Sequence, residues 1–288
     1  MRKVYRLLLA GVAAVGLAAC QDQLLVQNEN NPDQDRALRR PTDVEGLIAG
    51  AYNTMHVAVY NFGGLAPQLM CFGMENYSNL ANSAMGVRST VPRPPIANTR
   101  NSTGSGQGYD GFLRLHRAAR AAALGLNRVN QSTFTFFVTD TAALRTQIER
   151  AKAFAHFVMG VSLGQVAMVF DSGDAVNEID DLGTPAPLPH LSYTALAQYA
   201  LDRLDSAYAH AGQFATGTAP QTIPTTWMAN PATLTATQFR GVISGWKARI
   251  RAGIARGHSP RVRRAARASA PVGRNAGRRA SPPARAAA

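Results

Sequence analysis

The sequence predicts an all-α fold of packed helical hairpins with one long irregular loop and a disordered C-terminal tail. Two observations favour this class. Apolar residues recur at helical spacing in five segments, and these segments follow one another through turn-rich connections, as in helical bundles. Only a short stretch near 134–138 leaves a strand pair open as an alternative.

The first predicted helix follows Pro41. Thr42 and Glu45 have the spacing of a capping box, in which both side chains bond free backbone N–H groups at a helix start. Apolar residues over 44–55 then recur every three or four positions. The segment 60–108 is rich in Gly, Pro and Ser and has no periodicity, so it is predicted to be a long loop that is either functional or disordered.

Four more helices are predicted, and their approximate bounds are 109–130, 141–166, 193–211 and 236–256. Asp140 is the expected N-cap of the helix at 141–166. The later half of this helix is apolar on nearly every side, so it should be the buried helix. The third begins at Ser192 or Thr194, after an acidic, proline-rich connection. Thr235 and Gln238 form a capping box for the last.

The N-terminus predicts a lipoprotein signal. Basic residues at positions 2, 3 and 6 precede an apolar run of 13 residues over 7–19, which is shorter than the roughly 20 residues that cross a bilayer. The run ends in Leu-Ala-Ala-Cys, which matches the bacterial lipobox, so we expect cleavage before Cys20 and lipid attachment to it. An ordinary secretory signal and a buried apolar helix are the alternatives.

The positive charge is concentrated at the C-terminal end. Of 30 Lys and Arg residues, 13 lie in 240–288, where there is no Asp or Glu, and the first 239 residues carry 17 basic and 17 acidic residues. In 258–288, 24 of 31 residues are Ala, Arg, Pro or Gly, which predicts disorder. We interpret this tail as the product of a shifted reading frame and expect no nucleic-acid partner; a basic arm that binds nucleic acid or anionic lipid is the alternative.

The expected domains are a signal peptide at 1–19, a polar spacer at 20–40, a helical domain at 41–257 and the tail at 258–288. With Cys20 carrying lipid, Cys71 has no disulfide partner and is predicted to be a small buried apolar residue. No segment beyond the signal reaches 18 uninterrupted apolar residues, so no further membrane span is expected.

The sequence offers little sign of catalysis. It contains no Gly-x-Ser-x-Gly elbow, no phosphate loop and no paired histidines at zinc-binding spacing. The acidic stretch 171–181 lacks the frame of a calcium loop and is predicted to be solvated. His156 is predicted to be a hydrogen-bonded core residue. We therefore expect no enzyme activity, no catalytic residue, no metal and no cofactor.

Four segments in order resemble the SusD/RagB family of nutrient-uptake outer-membrane lipoproteins. They are a helix ending in Gly50-Ala51-Tyr52, the run from Leu163 to Met168, the stretch from Leu201 to Ala207 and the last helix from Ala248 to Arg256. Where the family has a proline in the second segment, this chain has Ala167. The resemblance covers 17 to about 257 and implies helical hairpins that resemble tetratricopeptide pairs.

The resemblance also implies a function. A protein of this family lies in the outer membrane, lipid-anchored, on a TonB-dependent transporter, and binds a glycan or another oligomeric nutrient. The alternative is a helical-repeat lipoprotein that scaffolds protein partners. Glycan binding requires aromatic faces and amide groups, and the long loop offers Tyr60, Phe62, Asn76, Tyr77, Asn79 and Tyr109.

The family's chains are about twice as long, so we interpret this chain as truncated. The apolar face of the last helix should then lack some of its partners. Part of that face is expected to be exposed, and its residues are Phe239, Val242, Trp246 and Ile250.

Overall fold

A computed structural model describes residues 38–61, 64–79, 85–92, 107–131, 134, 140–178, 188–218 and 221–255. This part of the chain is mostly helical, which confirms the all-α prediction. Pairing of the tetratricopeptide type stays a prediction. Cys20, Phe62, the signal, most of the spacer, and the tail lie outside the described residues.

The described helices are α1 (Pro41–Tyr60), α2 (Leu65–Phe72), α3 (Met85–Arg88), α4 (Gln107–Asn130), α5 (Thr141–Val169), α6 (Tyr193–Ala215), α7 (Thr225–Met228) and α8 (Ala236–Gly253). The strands are β1 (Ser172–Asp174), β2 (His190–Ser192), β3 (Thr222–Ile223) and β4 (Leu234–Thr235). They form two antiparallel ribbons, β1 with β2 and β3 with β4.

Helix α5 is the centre of the fold and packs against α6, α4, α1 and α8. It has the length and composition of a membrane span, but 83% of its apolar window is buried within the protein, as in the core helix of a globular domain. Gly160 lets α6 approach closely, since a Cβ there would lie 2.9 Å from the carbonyl oxygen of Ala200. The prediction that this helix is buried is confirmed.

Three of the four predicted N-terminal helix caps are confirmed. The side chains of Asp140 and Ser192 accept backbone N–H bonds, and Thr235 with its glutamine partner forms the capping box. The capping box predicted at Thr42 is wrong, because α1 starts at Pro41 with no side-chain cap. A proline at the first position already lacks the N–H that a cap would satisfy.

The two segments predicted to lack regular structure contain some. The long loop 60–108 includes α2 and α3, and the connection 171–191 includes β1 and β2. Helix α2 is too short for a clear periodicity, yet it buries Leu65 and Cys71. Cys71 is a buried thiol in α2, as predicted.

The apolar face of α8 is better covered than predicted. Phe239 and Ile250 are fully buried, and Val242 and Trp246 are half-buried against the core. The coverage comes from elements already present, because Phe239 packs edge-to-face on Phe157 with ring centres 5.1 Å apart. Partial exposure of this face is therefore limited to Val242 and Trp246, and the expectation that Phe239 and Ile250 lack partners is wrong.

Candidate functional site

A cavity of about 370 Å³ lies where the end of α5 meets β1, β2 and the start of α4. Its size is that of a small-molecule pocket. Its lining combines aromatic and polar side chains, namely Tyr109, Phe112, Phe170, Asp171, Ser172 and His190. We take it as the candidate site.

Two helices supply the aromatic walls. Tyr109 and Phe112 are three residues apart in α4 and therefore share one face of that helix. Phe170 follows the last residue of α5, and its N–H bonds the carbonyl of Val166. The rings of Phe112 and Phe170 meet edge-to-face with centres 5.1 Å apart, a favourable aromatic geometry.

The β1–β2 ribbon fixes the polar side of the cavity. Hydrogen bonds join Tyr193 N–H to the Asp171 carbonyl and Ala175 N–H to the Pro189 carbonyl. These bonds alternate along an antiparallel ribbon, so the pairs Ser172 with Ser192 and Asp174 with His190 are non-hydrogen-bonded pairs. Side chains lie closest in such pairs. The ribbon therefore brings Asp174 and His190 together across the strands.

Gly173 allows the ribbon to lie on the helices. A Cβ at this position would be 2.7 Å from Cγ1 of Val166 and 2.9 Å from Cδ2 of Leu196. The strand backbone therefore packs directly on α5 and α6. A larger residue at this position would require Val166, Leu196 or the strand itself to shift.

His190 contacts two polar side chains of β1. Its Nδ1 lies 2.7 Å from Oδ1 of Asp174, and its Nε2 lies 2.8 Å from Oγ of Ser172. The three side chains are partly exposed; 60% of the His190 side chain and 39% of the Asp174 side chain are accessible. They form a continuous chain of hydrogen bonds beside the aromatic walls.

A second histidine holds the strand from behind. Nε2 of His116 accepts the N–H of Asp174 at 3.1 Å, so its Nδ1 carries the proton and donates to the carbonyl of Phe112 at 2.9 Å. Burial lowers the pKa of His116, and its backbone hydrogen bonds and Asp174 oppose this only in part. His116 is therefore a neutral anchor for β1.

The segment after β1 is held by a polar network. Tyr199 donates its hydroxyl to the carbonyl of Val176 at 2.9 Å, and Arg203 pairs with Glu178 at 2.5 Å. Asn127 donates to the carbonyl of Glu178 at 2.5 Å. The prediction of a solvated acidic loop is wrong for Glu178, whose side chain is only 20% exposed. These contacts stabilise the backbone that follows the cavity.

A separate histidine cluster is buried between α5 and α6. Nδ1 of His210 lies 2.5 Å from Oε2 of Glu149, and the rings of His210 and His156 stack with centres 5.5 Å apart. Burial, helped by the nearby charges of Arg203 and Lys152, lowers the pKa of His156 to about 3. His156 is buried, as predicted, and its Nδ1 has no hydrogen-bond partner among the described residues.

The structure separates the residues predicted for ligand binding. Of the five that lie in the described ranges, Tyr109 alone lines the cavity. Tyr60 ends α1, where its hydroxyl accepts from Arg249 at 3.4 Å. Asn76 follows α2 and donates to the sulfur of Met70, and Tyr77 is 77% exposed. Asn79 is also exposed beyond α2.

Most cavity residues were missed by sequence reasoning. Asp171 and Ser172 lie in the segment 171–191, interpreted as a connection, and His190 lies at its far end, whereas Phe170 falls between the predicted helix and that connection. The alternation of Ser172 and Asp174 is a signal for one strand face. It does not reveal His190, because pairing across a long connection cannot be read from local spacing.

Within the described ranges, no group of three or more His, Cys, Asp or Glu side chains is placed to hold a metal ion. The carboxylate of Asp174 instead forms a hydrogen bond with His190. The arrangement is suited to hydrogen bonding and proton transfer.

No family model matches the sequence, and no curated protein and no solved structure is significantly similar to it. The resemblance to SusD/RagB lipoproteins therefore stays a prediction that rests on the motifs quoted above. The site must be interpreted from its own geometry.

Proposed function

We propose that this protein is a lipid-anchored binding protein that captures a glycan or another oligomeric nutrient and passes it to a TonB-dependent transporter in the outer membrane. The observation that carries the proposal is the cavity in which Tyr109, Phe112 and Phe170 face Asp171, Ser172 and His190. The order of the SusD/RagB-like segments supports the same function, as does the lipobox before Cys20.

The lining has the chemistry that sugar recognition requires. The faces of sugar rings carry C–H groups that pack on aromatic rings, and their edges carry hydroxyls that need donors and acceptors. Three aromatic rings beside a carboxylate, a hydroxyl and an imidazole supply both. Small-molecule sites in general combine apolar walls with a few placed polar groups.

Titration calorimetry of the full chain in detergent against oligosaccharide and peptide panels tests the proposal. Tyr109→Ala should weaken binding about tenfold, since the loss of one aromatic contact costs about 1.4 kcal/mol. Tyr77→Ala is the matched control, because Tyr77 is 77% exposed and lies outside the cavity lining. Equal affinity for Tyr109→Ala and the wild type, with unchanged melting temperatures, would exclude the cavity as the binding site.

A scaffolding role is the second candidate, and one observation favours it. Large apolar side chains are exposed on α2 and the turn after it: Leu69, Met70, Met74 and Tyr77. Exposed apolar patches mark surfaces that bind other proteins. If the protein is a scaffold, it should bind neither glycans nor peptides in the calorimetric titrations. Its complexes with partner proteins should then be disrupted by Tyr77→Ala.

The anchor is tested separately. Cys20→Ala should abolish incorporation of radiolabelled palmitate and release the protein from membranes, because the sulfur of Cys20 is the expected attachment point. Stable anchoring requires two or more acyl chains. Because all of the expected chains depend on Cys20, the variant should lose its membrane attachment completely. A wild type that takes up no label would show that the lipobox interpretation is wrong.

A further inference from the structure

Ser172, Asp174 and His190 share one face of the β1–β2 ribbon. Ser172 and Asp174 are two residues apart in β1 and point to the same side, and His190 is the direct partner of Asp174 in β2. The imidazole bridges the other two side chains, at 2.8 Å to Oγ of Ser172 and 2.7 Å to Oδ1 of Asp174.

When His190 is neutral, the chemistry of the three groups sets the direction of both hydrogen bonds. An ionised carboxylate only accepts, so Nδ1 of His190 carries the proton and donates to Asp174. Nε2 of the neutral ring is then an acceptor, and the hydroxyl of Ser172 donates to it. This is the arrangement in which a base activates a serine hydroxyl and a carboxylate orients the base.

The serine and the histidine both line the aromatic cavity. Ser172 belongs to a non-hydrogen-bonded pair, so its N–H is directed away from β2. The N–H of Asp174 points to the same side and reaches His116 of α4. The N–H of Ser172 is thus directed toward the α4 side, which bears Tyr109 and Phe112, and supplies one donor for a developing oxyanion.

We propose that Ser172 and His190 are catalytic residues, with Asp174 as their positioning residue, for hydrolysis of a small uncharged carboxylic ester whose acyl group sits between the aromatic walls. The activity goes beyond nutrient capture and does not depend on it. It also departs from the sequence expectation of no nucleophile, because this serine lies on a strand and not on a Gly-x-Ser-x-Gly elbow.

The reaction balances through an acyl intermediate. Oγ of Ser172 attacks the ester carbonyl carbon while its proton passes to Nε2 of His190. The tetrahedral intermediate expels the alcohol, which takes that proton, and leaves an ester on Ser172. Water then attacks the acyl carbon and gives a proton to His190. Collapse releases the carboxylic acid and returns the proton to Oγ of Ser172.

Hydrolysis of p-nitrophenyl acetate by the full chain in detergent measures the activity. Ser172→Ala and His190→Ala should each lower kcat about 100-fold or more, since general base catalysis contributes a factor of that order. Ser192→Ala is the control, because Ser192 faces Ser172 across the ribbon but bonds to Thr194 and the start of α6. It should retain the wild-type rate.

Covalent labelling of the wild type keeps the test independent of variant folding. Oγ of Ser172 should attack the phosphorus of a fluorophosphonate, give its proton to His190 and expel fluoride into solution. Fragmentation of the labelled peptide should then place the phosphonyl adduct on Ser172 and not on Ser192. A folded wild type that carries no adduct on Ser172, or a Ser172→Ala variant that hydrolyses the ester at the wild-type rate, would overturn the proposal.

The role of Asp174 is tested by a measurement that would not change if this residue only stabilised the fold. Asp174→Asn should lower kcat and leave KM unchanged, because the substrate does not contact this residue. ¹⁵N NMR should show the Nδ1–H tautomer of His190 in the wild type and its loss in Asp174→Asn. An unchanged tautomer together with an unchanged kcat would remove Asp174 from the site.

Discussion

Two histidine–carboxylate clusters in this molecule use the same bond in different surroundings. In the first, His210 bonds Glu149 between α5 and α6, and only 12% of the Glu149 side chain is exposed. In the second, His190 bonds Asp174 beside the cavity, and 39% of the Asp174 side chain is exposed. The second cluster also includes a serine, and its His190 and Ser172 line the aromatic cavity, to which neither His210 nor Glu149 contributes.

The difference teaches where to look for function. A buried pair contributes to stability, because removal of one partner leaves an unsatisfied group inside the protein. An exposed pair contributes little to stability, because water replaces the lost partner. A polar cluster that is not needed for folding and that borders a cavity is therefore the better candidate for chemistry.

The largest expected effect is on the buried cluster. Glu149→Ala should lower the free energy of unfolding by about 2 kcal/mol, because it leaves His210 without its charged hydrogen-bond partner. Asp174→Ala, the matched change at the exposed pair, should cost less than about 1 kcal/mol. Chemical denaturation of both variants measures the two values. Equal losses would contradict the division between a structural and a functional cluster.

The ribbon beneath the exposed cluster is sensitive to volume. Gly173→Ala should lower the free energy of unfolding by about 1 to 2 kcal/mol, since the added methyl would overlap Val166 and Leu196. Gly212→Ala is the control, because the nearest atoms to its Cβ are 3.9 Å away in Arg240 and alanine favours a helix. A neutral Gly173→Ala would show that β1 can shift, and the cavity geometry would then need revision.

The sequence predicted the helices far better than the site. Helix α5 was predictable because its apolar run and the N-cap Asp140 are local signals. The cavity was not, because Phe170 and His190 are brought together by a ribbon whose strands are three residues long and far apart in the chain. Tyr109 was predicted as a ligand residue from its type and its place at the end of the long loop; Phe112 lies in the same predicted helix, but Asp171, Ser172 and His190 come from a segment without periodicity.

The tertiary partners of charged residues could not be predicted from the sequence either. Glu45 looks like half of a capping box, yet it pairs with Arg150 of α5 at 2.9 Å. The two residues are 105 positions apart, and only the packing of α1 on α5 brings them into contact. Local spacing therefore identified a helix start at this position and missed a tertiary ion pair.

A smaller effect is expected on the pH dependence of the free energy of unfolding, and it arises from His156 in the buried cluster. The folded-state pKa of His156 is about 3, below its ordinary value near 6.5, so its contribution to stability is present above pH 6.5 and is lost as the pH falls toward 3. Between pH 7 and pH 5.5 the wild type should lose about 1 kcal/mol from this group. His116, whose pKa is also lowered by burial, adds a loss of the same sign.

His156→Phe measures that contribution, because phenylalanine keeps the stacking on His210 and cannot titrate. Denaturant unfolding at several pH values should show a shallower decline for the variant than for the wild type. Parallel curves for the two proteins would mean that His156 is accessible to protonation in the folded state, contrary to its burial.

The smallest expected effect is at Ser172. Ser172→Ala should change the free energy of unfolding by less than about 0.5 kcal/mol, since the hydroxyl is only partly buried and water can take its place on His190. Thermal and denaturant unfolding of the full chain provide the measurement. A loss above about 1 kcal/mol would make Ser172 a structural residue, and the exposed cluster would then differ from the buried one only in degree. A neutral result leaves a serine and a histidine held in hydrogen-bond geometry beside a cavity without a structural need for them, which is the condition expected of a site maintained for chemistry.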